Sequence, residues 1–235
     1  MEKFKIDGVE FVIDKRAGKD RGVSKKNKFI LVKNDRCLDF VREWTGSKPN
    51  TIMEVGMFEG GSLVLMDKLF KPDVIVGLDL RREPIKPLEE YRKENPHMKT
   101  YYARSQDKIG TLMAARENFP TGIDLVVDDA SHLYEQTKAT FEMLFPLVRK
   151  GGKYVIEDWA WSHAPGRQKP GSVWYDKPAM SNVILKLVML AAHYGVIDKI
   201  EVHKELVIIT KGSGMLPKDP FDVTSLLRGR EYSLI

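Results

Sequence analysis

The chain has 235 residues, 43% of them hydrophobic and 30% charged, with a single cysteine, Cys37. That length buries a core without disulfide or zinc staples, and a lone cysteine excludes a disulfide framework and a multi-cysteine zinc site; it suits a reducing, cytoplasmic setting. The net charge of +5 is concentrated, because residues 1–50 hold 13 Lys/Arg against 8 Asp/Glu while the remainder is balanced.

The N-terminus, MEKFKIDGVEF, is charged from its second residue and lacks the apolar core of a signal peptide. KFKI and VEFVI flank Asp7-Gly8, which predicts a hairpin. GKDRGVSKKNK follows and reads as a mobile loop. The densest basic stretch, Lys15 to Lys33, reads either as a solvated loop or as a patch for an anionic substrate or nucleic acid. Asn34 caps a predicted helix through Trp44, and GSKPN breaks the chain. These first 49 residues form an expected extension to a main unit over 50–211, with a tail over 212–235.

From Asn50, strands are predicted at 51–55, 74–79, 99–102, 123–128 and 152–156. Helices are predicted between them at 61–70, 86–94, 107–118 and 133–149. DVIVGLD and IDLVVDD are apolar throughout, as strands covered on both faces are. A loop rich in Trp, Gly and Pro follows Asp158, and a helix is expected over 179–195. The apolar run over 183–197 is interrupted by Lys186 and His193 and is too short to span a bilayer. DKIEVH and ELVIIT are too close for a parallel crossover and must pair antiparallel. The expectation is an α/β fold: a seven-stranded sheet of five parallel strands plus an antiparallel C-terminal hairpin, with helices on both faces. That is the topology of class I S-adenosylmethionine (SAM)-dependent methyltransferases.

In such sheets the ligand sits at the carboxyl ends of the strands. The first main strand ends in EVGMFEGGS. Phe58 stands where the second glycine of the dinucleotide fingerprint would be, so a dinucleotide oxidoreductase fits poorly. Gly56, Gly60 and Gly61 let the backbone turn tightly and approach a ligand. The loop carries Glu54 and Glu59 and no base, which suits the cationic end of SAM better than a phosphate; Ser62 opens the helix behind it. Asp79, at the end of the second strand, is placed for ribose hydroxyls. Ser105, Gln106 and Asp107 are placed for an adenine edge, with a helix N-cap as the plain alternative for Asp107.

VVDDASH and YVIEDW end neighbouring strands, so Asp128, Asp129, Glu157 and Asp158 gather at one edge of the cleft. Carboxylates about 5 Å apart repel by roughly 3 kcal/mol at an effective dielectric of 20. A base, a shared proton or a metal must compensate. No Lys or Arg lies within four positions after the fifth strand, so a cation is the economical answer, and oxygen ligands point to magnesium or manganese. Adjacent strand residues face opposite ways, so Glu157 and Asp158 can share an ion only if the chain bends there. His132, beside this cluster, suits the role of general base.

EVGMFEGGS, the stretch VVDDASHLYEQTKATFEMLFPLVRKGGKYVIEDW and their spacing resemble the metal-dependent O-methyltransferases of macrolide sugars (the macrocin and mycinamicin type). They are also similar to the cephalosporin-hydroxylase-related methyltransferases. The resemblance covers roughly residues 50–160. It implies magnesium on Asp129, Glu157 and Asp158 and His132 as general base; the loop, Asp79 and Asp128 are expected to contact the cofactor. It also implies methyl transfer to a hydroxyl of a small-molecule acceptor: a sugar, diol or phenolic natural product. The loop 159–180, with Trp161, His163, Trp174 and Tyr175, reads as an acceptor lid; the alternative is packing or a contact in a homo-oligomer. Two other functions compete: a nucleic-acid methyltransferase using the basic segment, and a non-catalytic SAM-binding protein.

Overall fold

The computed structural model describes residues 2–16, 20–44, 48–192, 195–216 and 219–224. Strands β1 (Glu2–Ile6) and β2 (Val9–Ile13) form the expected hairpin, with Asp7 and Gly8 both at positive φ. A strand absent from the sequence reading, β3 (Lys28–Leu31), runs parallel to β2 and completes a three-stranded sheet. The segment read as a mobile loop therefore feeds a strand. Ser24 ties it down: its N–H donates to Glu59 Oε2 at 2.9 Å and its hydroxyl to the Glu59 carbonyl at 2.9 Å. Residues 17–19 of that segment, and 45–47 of the expected break, lie outside the described residues. Asn34 caps α1 (Asp35–Arg42) as expected, its Oδ1 accepting from the Cys37 N–H at 2.8 Å.

The main sheet comprises β4 (Thr51–Val55), β5 (Val74–Leu78), β6 (Met98–Tyr101), β7 (Ile123–Asp128), β8 (Val148–Glu157), β9 (Ile197–Val202) and β10 (Leu206–Lys211). Their order is β6-β5-β4-β7-β8-β10-β9. The expected antiparallel pair is present, and β10, wedged between β8 and β9, runs against both. The connecting helices are α2 (Gly61–Phe70), α3 (Lys86–Glu94), α4 (Ile109–Asn118), α5 (Tyr134–Leu144) and α6 (Ser181–Ala191). The helix expected to reach residue 149 stops at Leu144 because Pro146 has no N–H to continue it. A 3-10 turn over Phe145–Leu147 follows, and β8 begins at Val148.

Each face of the sheet carries one apolar cluster. Phe141, Leu144, Val183 and Leu187 from α5 and α6 cover one face. On the other, Leu63 and Met66 of α2 and Leu38 of α1 pack with Phe11, Phe29 and Leu31 of the small sheet. The N-terminal layer thus shares its core with the main sheet. Of the expected tail, Phe221 and Val223 join the first cluster, and residues 225–235 lie outside the described residues. Among the described residues no helix is long and apolar enough to cross a membrane.

Candidate active site

A cavity of about 650 Å³ opens at the carboxyl ends of β4, β5 and β7, within the size range of small-molecule sites. The loop after β4 forms one wall. Gly56 takes φ +94°, and a Cβ there would lie 2.2 Å from the Asp129 carbonyl oxygen, so only glycine lets the loop close on β7. Phe58 follows at φ 48°. Asp79 braces the turn: its Oδ2 accepts from the N–H groups of Met57 and Phe58 at 3.0 and 3.1 Å, and its Oδ1 from Arg81 at 2.9 Å.

Of the residues expected to contact a cofactor, Gly56, Asp79, Ser105 and Asp107 line this cavity. Ser105 donates to Asp107 Oδ1 at 2.5 Å, and the N-cap of α4 is Lys108, not Asp107. Gln106 also borders the cavity, but its amide is turned inward: Oε1 accepts from the Ser131 N–H at 2.9 Å, and Nε2 donates to Thr140 and Asp128. Glu54, Gly60, Ser62 and Asp128 lie behind the wall. Gly60 is the N-cap of α2, against Leu88. Ser62 donates to Glu54. Glu59 is held by Ser24, with Arg81 at 3.8 Å. The two loop carboxylates read as facing a cationic ligand therefore face protein partners.

The four acids at the strand ends are sorted by side. Asp128 points to the α5 face, accepting from Tyr154 at 3.1 Å and from Gln106 at 3.3 Å; burial pushes its carboxyl up to about 7. Glu157 points to the opposite face, and there the expectation of no nearby base fails. Lys33, 124 residues away in sequence, places Nζ 2.9 Å from Glu157 Oε1, 2.6 Å from Asp129 Oδ2 and 3.7 Å from Glu54 Oε1. Burial alone would lower this ammonium's pKa, but Asp129, Glu157 and Glu54 outweigh it and hold it well above the usual lysine value. The elimination failed because a window along the sequence cannot see a base delivered by another layer.

Asp158 departs from the strand. At φ 55° it supplies the bend that two adjacent acids require, and it enters the cavity wall. Burial, then Asp129 and Glu157, push its carboxyl up to about 7. His132 also sits at φ 55°, with Nε2 3.7 Å from Asp129 Oδ1 and its side chain 11% exposed. Left-handed backbone at non-glycine residues costs about 1–3 kcal/mol and collects at functional sites. Burial lowers the His132 pKa, so the ring is neutral near pH 7.

A carboxylate oxygen of Asp129, a His132 ring nitrogen and an Asp158 oxygen lie within 4.8 Å of one another. Two carboxylates with an imidazole beside them fit a hard divalent ion such as magnesium or manganese. Glu157 is not in that group among the described residues. The aromatic loop closes the same corner. Trp174 Nε1 donates to the His132 carbonyl at 2.9 Å, and the Trp161 ring lies 4.5 Å from the His132 ring. Arg167 stacks on both indoles, 5.0 and 4.4 Å from their centroids. Sequence reasoning missed Lys33, whose one local signal is its place after the apolar run FILV and before a helix cap.

Comparison with known proteins bears on the fold. Residues 53–159 match a family described as a methyltransferase domain. Demethylmacrocin O-methyltransferase of Streptomyces fradiae is 36% identical over 124 residues, which are 49% of this chain and 29% of that protein. A tetracenomycin-C 3'-O-methyltransferase acting on a 2-methoxy-rhamnosyl form, from Streptomyces olivaceus, is 38% identical over 108 residues, 46% of this chain and 25% of that protein. These matches span less than a third of the relatives' own length. Among solved structures, the mycinamycin-pathway methyltransferase MycE in complex with Mg, SAH and mycinamycin VI superposes with a TM-score of 0.59. It is 24% identical and covers 78% of this chain and 51% of that one. The fold is that of the class I methyltransferases.

Proposed function

We propose that this chain is a SAM-dependent O-methyltransferase, assisted by magnesium or manganese, that acts on a hydroxyl of a small molecule, a sugar or vicinal diol first of all. The observation that carries the reading is one cavity with two unlike walls. The first is the glycine loop braced by Asp79; the second is a neutral, half-buried His132 beside Asp129 and Asp158. The relatives' names add the hydroxyl of a glycosylated natural product as acceptor class. The basic N-terminal stretch gives little support to nucleic-acid binding. Lys28 pairs with Glu10, Arg16 with Asp14 and Lys15 with Asp35, and Lys33 is buried.

When bound, SAM supplies a methyl group on a sulfonium, and the divalent ion lowers the pKa of a hydroxyl it coordinates. The chain's own residues do the rest. Gly56 and Phe58 shape the cofactor wall, and Asp79 holds their N–H groups in place. Trp161 and Trp174, set edge-to-face at 74°, form an aromatic corner against which an acceptor ring packs, next to His132. His132 Nε2 takes the hydroxyl proton, and the closed corner excludes water. Orientation of the reacting atoms supplies most of the acceleration.

The test is calorimetric titration of SAM with EDTA and again with magnesium, followed by methyl transfer from labelled SAM to a panel of sugars and diols. SAM binding in both buffers, with transfer only when the metal is present, is expected. Absence of SAM binding refutes the reading, and metal-independent transfer removes magnesium from it.

A further inference from the structure

Lys33 belongs to none of the β–α units that build the cavity. It stands between β3 and α1, and both neighbours fix it. Ile30 of β3 lies against Gly61, where a Cβ would come 2.1 Å from the Ile30 carbonyl oxygen, so the glycine lets this layer seat on α2. Asn34 caps α1, and its amide reaches Asp158 Oδ1 at 3.4 Å. The Lys33 side chain is 7% exposed, and it separates the acids into two groups. Behind it, Glu157 and Glu54 border a void of about 20 Å³ shared with Cys37 and Ser62. In front, Asp129 and Asp158 border the large cavity, which neither Lys33 nor Glu157 lines. A lysine ammonium and a divalent ion repel each other, so both cannot draw on the same carboxylate oxygens.

We propose that Lys33 is the resident cation of this edge. It holds Glu157 and Asp129 Oδ2, and it confines a divalent ion to Asp129 Oδ1 and Asp158, beside a His132 ring left free to take a proton. Glu157 is then a positioning residue that anchors Lys33, not a metal ligand. This departs from the ligand set that the family resemblance implies. The ion's place rests on the methyltransferase reading above; the pairing of Lys33 with Glu157 does not. Magnesium suits such a corner because it keeps several waters and needs only one or two carboxylates from the protein.

Two measurements decide it. In the first, metal-stripped protein saturated with S-adenosylhomocysteine (SAH) is titrated with manganese, and free ion is read by electron paramagnetic resonance. Asp158→Asn is expected to weaken manganese binding by about tenfold or more, and Glu157→Gln by less than about threefold. Equal weakening by the two variants overturns the proposal. In the second, thermal unfolding in EDTA is measured for Lys33→Met, Glu157→Gln and the double variant. The double variant is expected to recover part of the loss caused by Lys33→Met, because the unpaired acid is gone. If Lys33→Met does not fold, folding of the double variant is the same result. No recovery overturns the pairing. Wild-type protein that binds SAH but no manganese refutes the metal part of the functional reading, and the unfolding cycle alone then decides Lys33.

Discussion

An alanine at position 56 would place its Cβ 2.2 Å from the Asp129 carbonyl oxygen and 2.7 Å from the carbonyl carbon. Both are backbone atoms and cannot rotate away. Ordinary contact begins near 3.4 Å, so the β4–α2 loop and the end of β7 must part by more than about 1 Å. That separation pulls on the Asp129 N–H bond to the Val55 carbonyl, now 2.9 Å, and on the two N–H bonds that Asp79 accepts. The left-handed φ adds about 1–2 kcal/mol for any L residue. Gly151 is the control, with φ +77° and nothing within 4 Å of its Cβ position. Gly151→Ala is expected to cost about 1–2 kcal/mol of stability with SAH affinity unchanged. Gly56→Ala is expected to cost more and to lower SAH affinity by about tenfold to a hundredfold, the scale of a 1 Å misplacement. Thermal unfolding and calorimetry read both variants. Gly56→Ala protein that binds SAH within about threefold of wild type would refute the role given to this loop.

Burial pushes the Asp128 carboxyl from its ordinary 3.8 up to about 7, so the folded state binds the extra proton between those values. Stability of the metal-free protein is therefore expected to fall as pH rises from about 4 to 7, by at most roughly 4 kcal/mol from this group. Asp128→Asn should flatten that part of the profile; an unchanged slope of melting temperature against pH contradicts it. Trp174→Phe keeps a ring but loses the bond to the His132 carbonyl, worth about 1 kcal/mol. It is expected to lower kcat several-fold with SAH affinity intact, and an equal loss of SAH affinity would place Trp174 on the cofactor side instead. Gly61→Ala pushes on the Ile30 carbonyl and so on the layer that carries Lys33. Its melting temperature is expected to fall, and no change would mean that β3 yields freely.

The parallel core was legible because its signals are local. DVIVGLD and IDLVVDD are buried on both faces, and each is followed by a loop and a helix whose spacing admits few topologies. Asn34 was legible for the same reason, since an N-cap acts within three residues. β3 was not: KFIL is four residues long, lies beside a basic run, and is a strand because β2 is there to pair with it. The site was legible in part. Period-two alternation said that Glu157 and Asp158 can face the cleft together only if the chain bends, and Asp158 does turn there, at φ 55°. It could not say that Glu157 has a lysine, because Lys33 and Glu157 meet only after the small sheet seats on α2.

Charge counting along the sequence read residues 15–33 as one stretch, either solvated or a patch, yet their environments differ in kind. Lys15 and Lys28 make exposed or half-exposed pairs, of the sort that contribute little, whereas Arg16 holds both oxygens of the buried Asp14. Lys33 is enclosed with three carboxylates, where breaking one partnership costs about 3–5 kcal/mol. A buried pair is an unreliable source of stability compared with apolar packing, so its value here is specificity of arrangement. Lys33 can reach Asp129 and Glu157 only when β3, Gly61 and the α1 cap are all in place. Asp129 is then gripped at Oδ2, with Oδ1 left toward His132. The N-terminal layer thereby reaches the candidate site in two ways: Arg21 and Val32 line the cavity itself, and Lys33 acts from behind it by engaging one oxygen of Asp129.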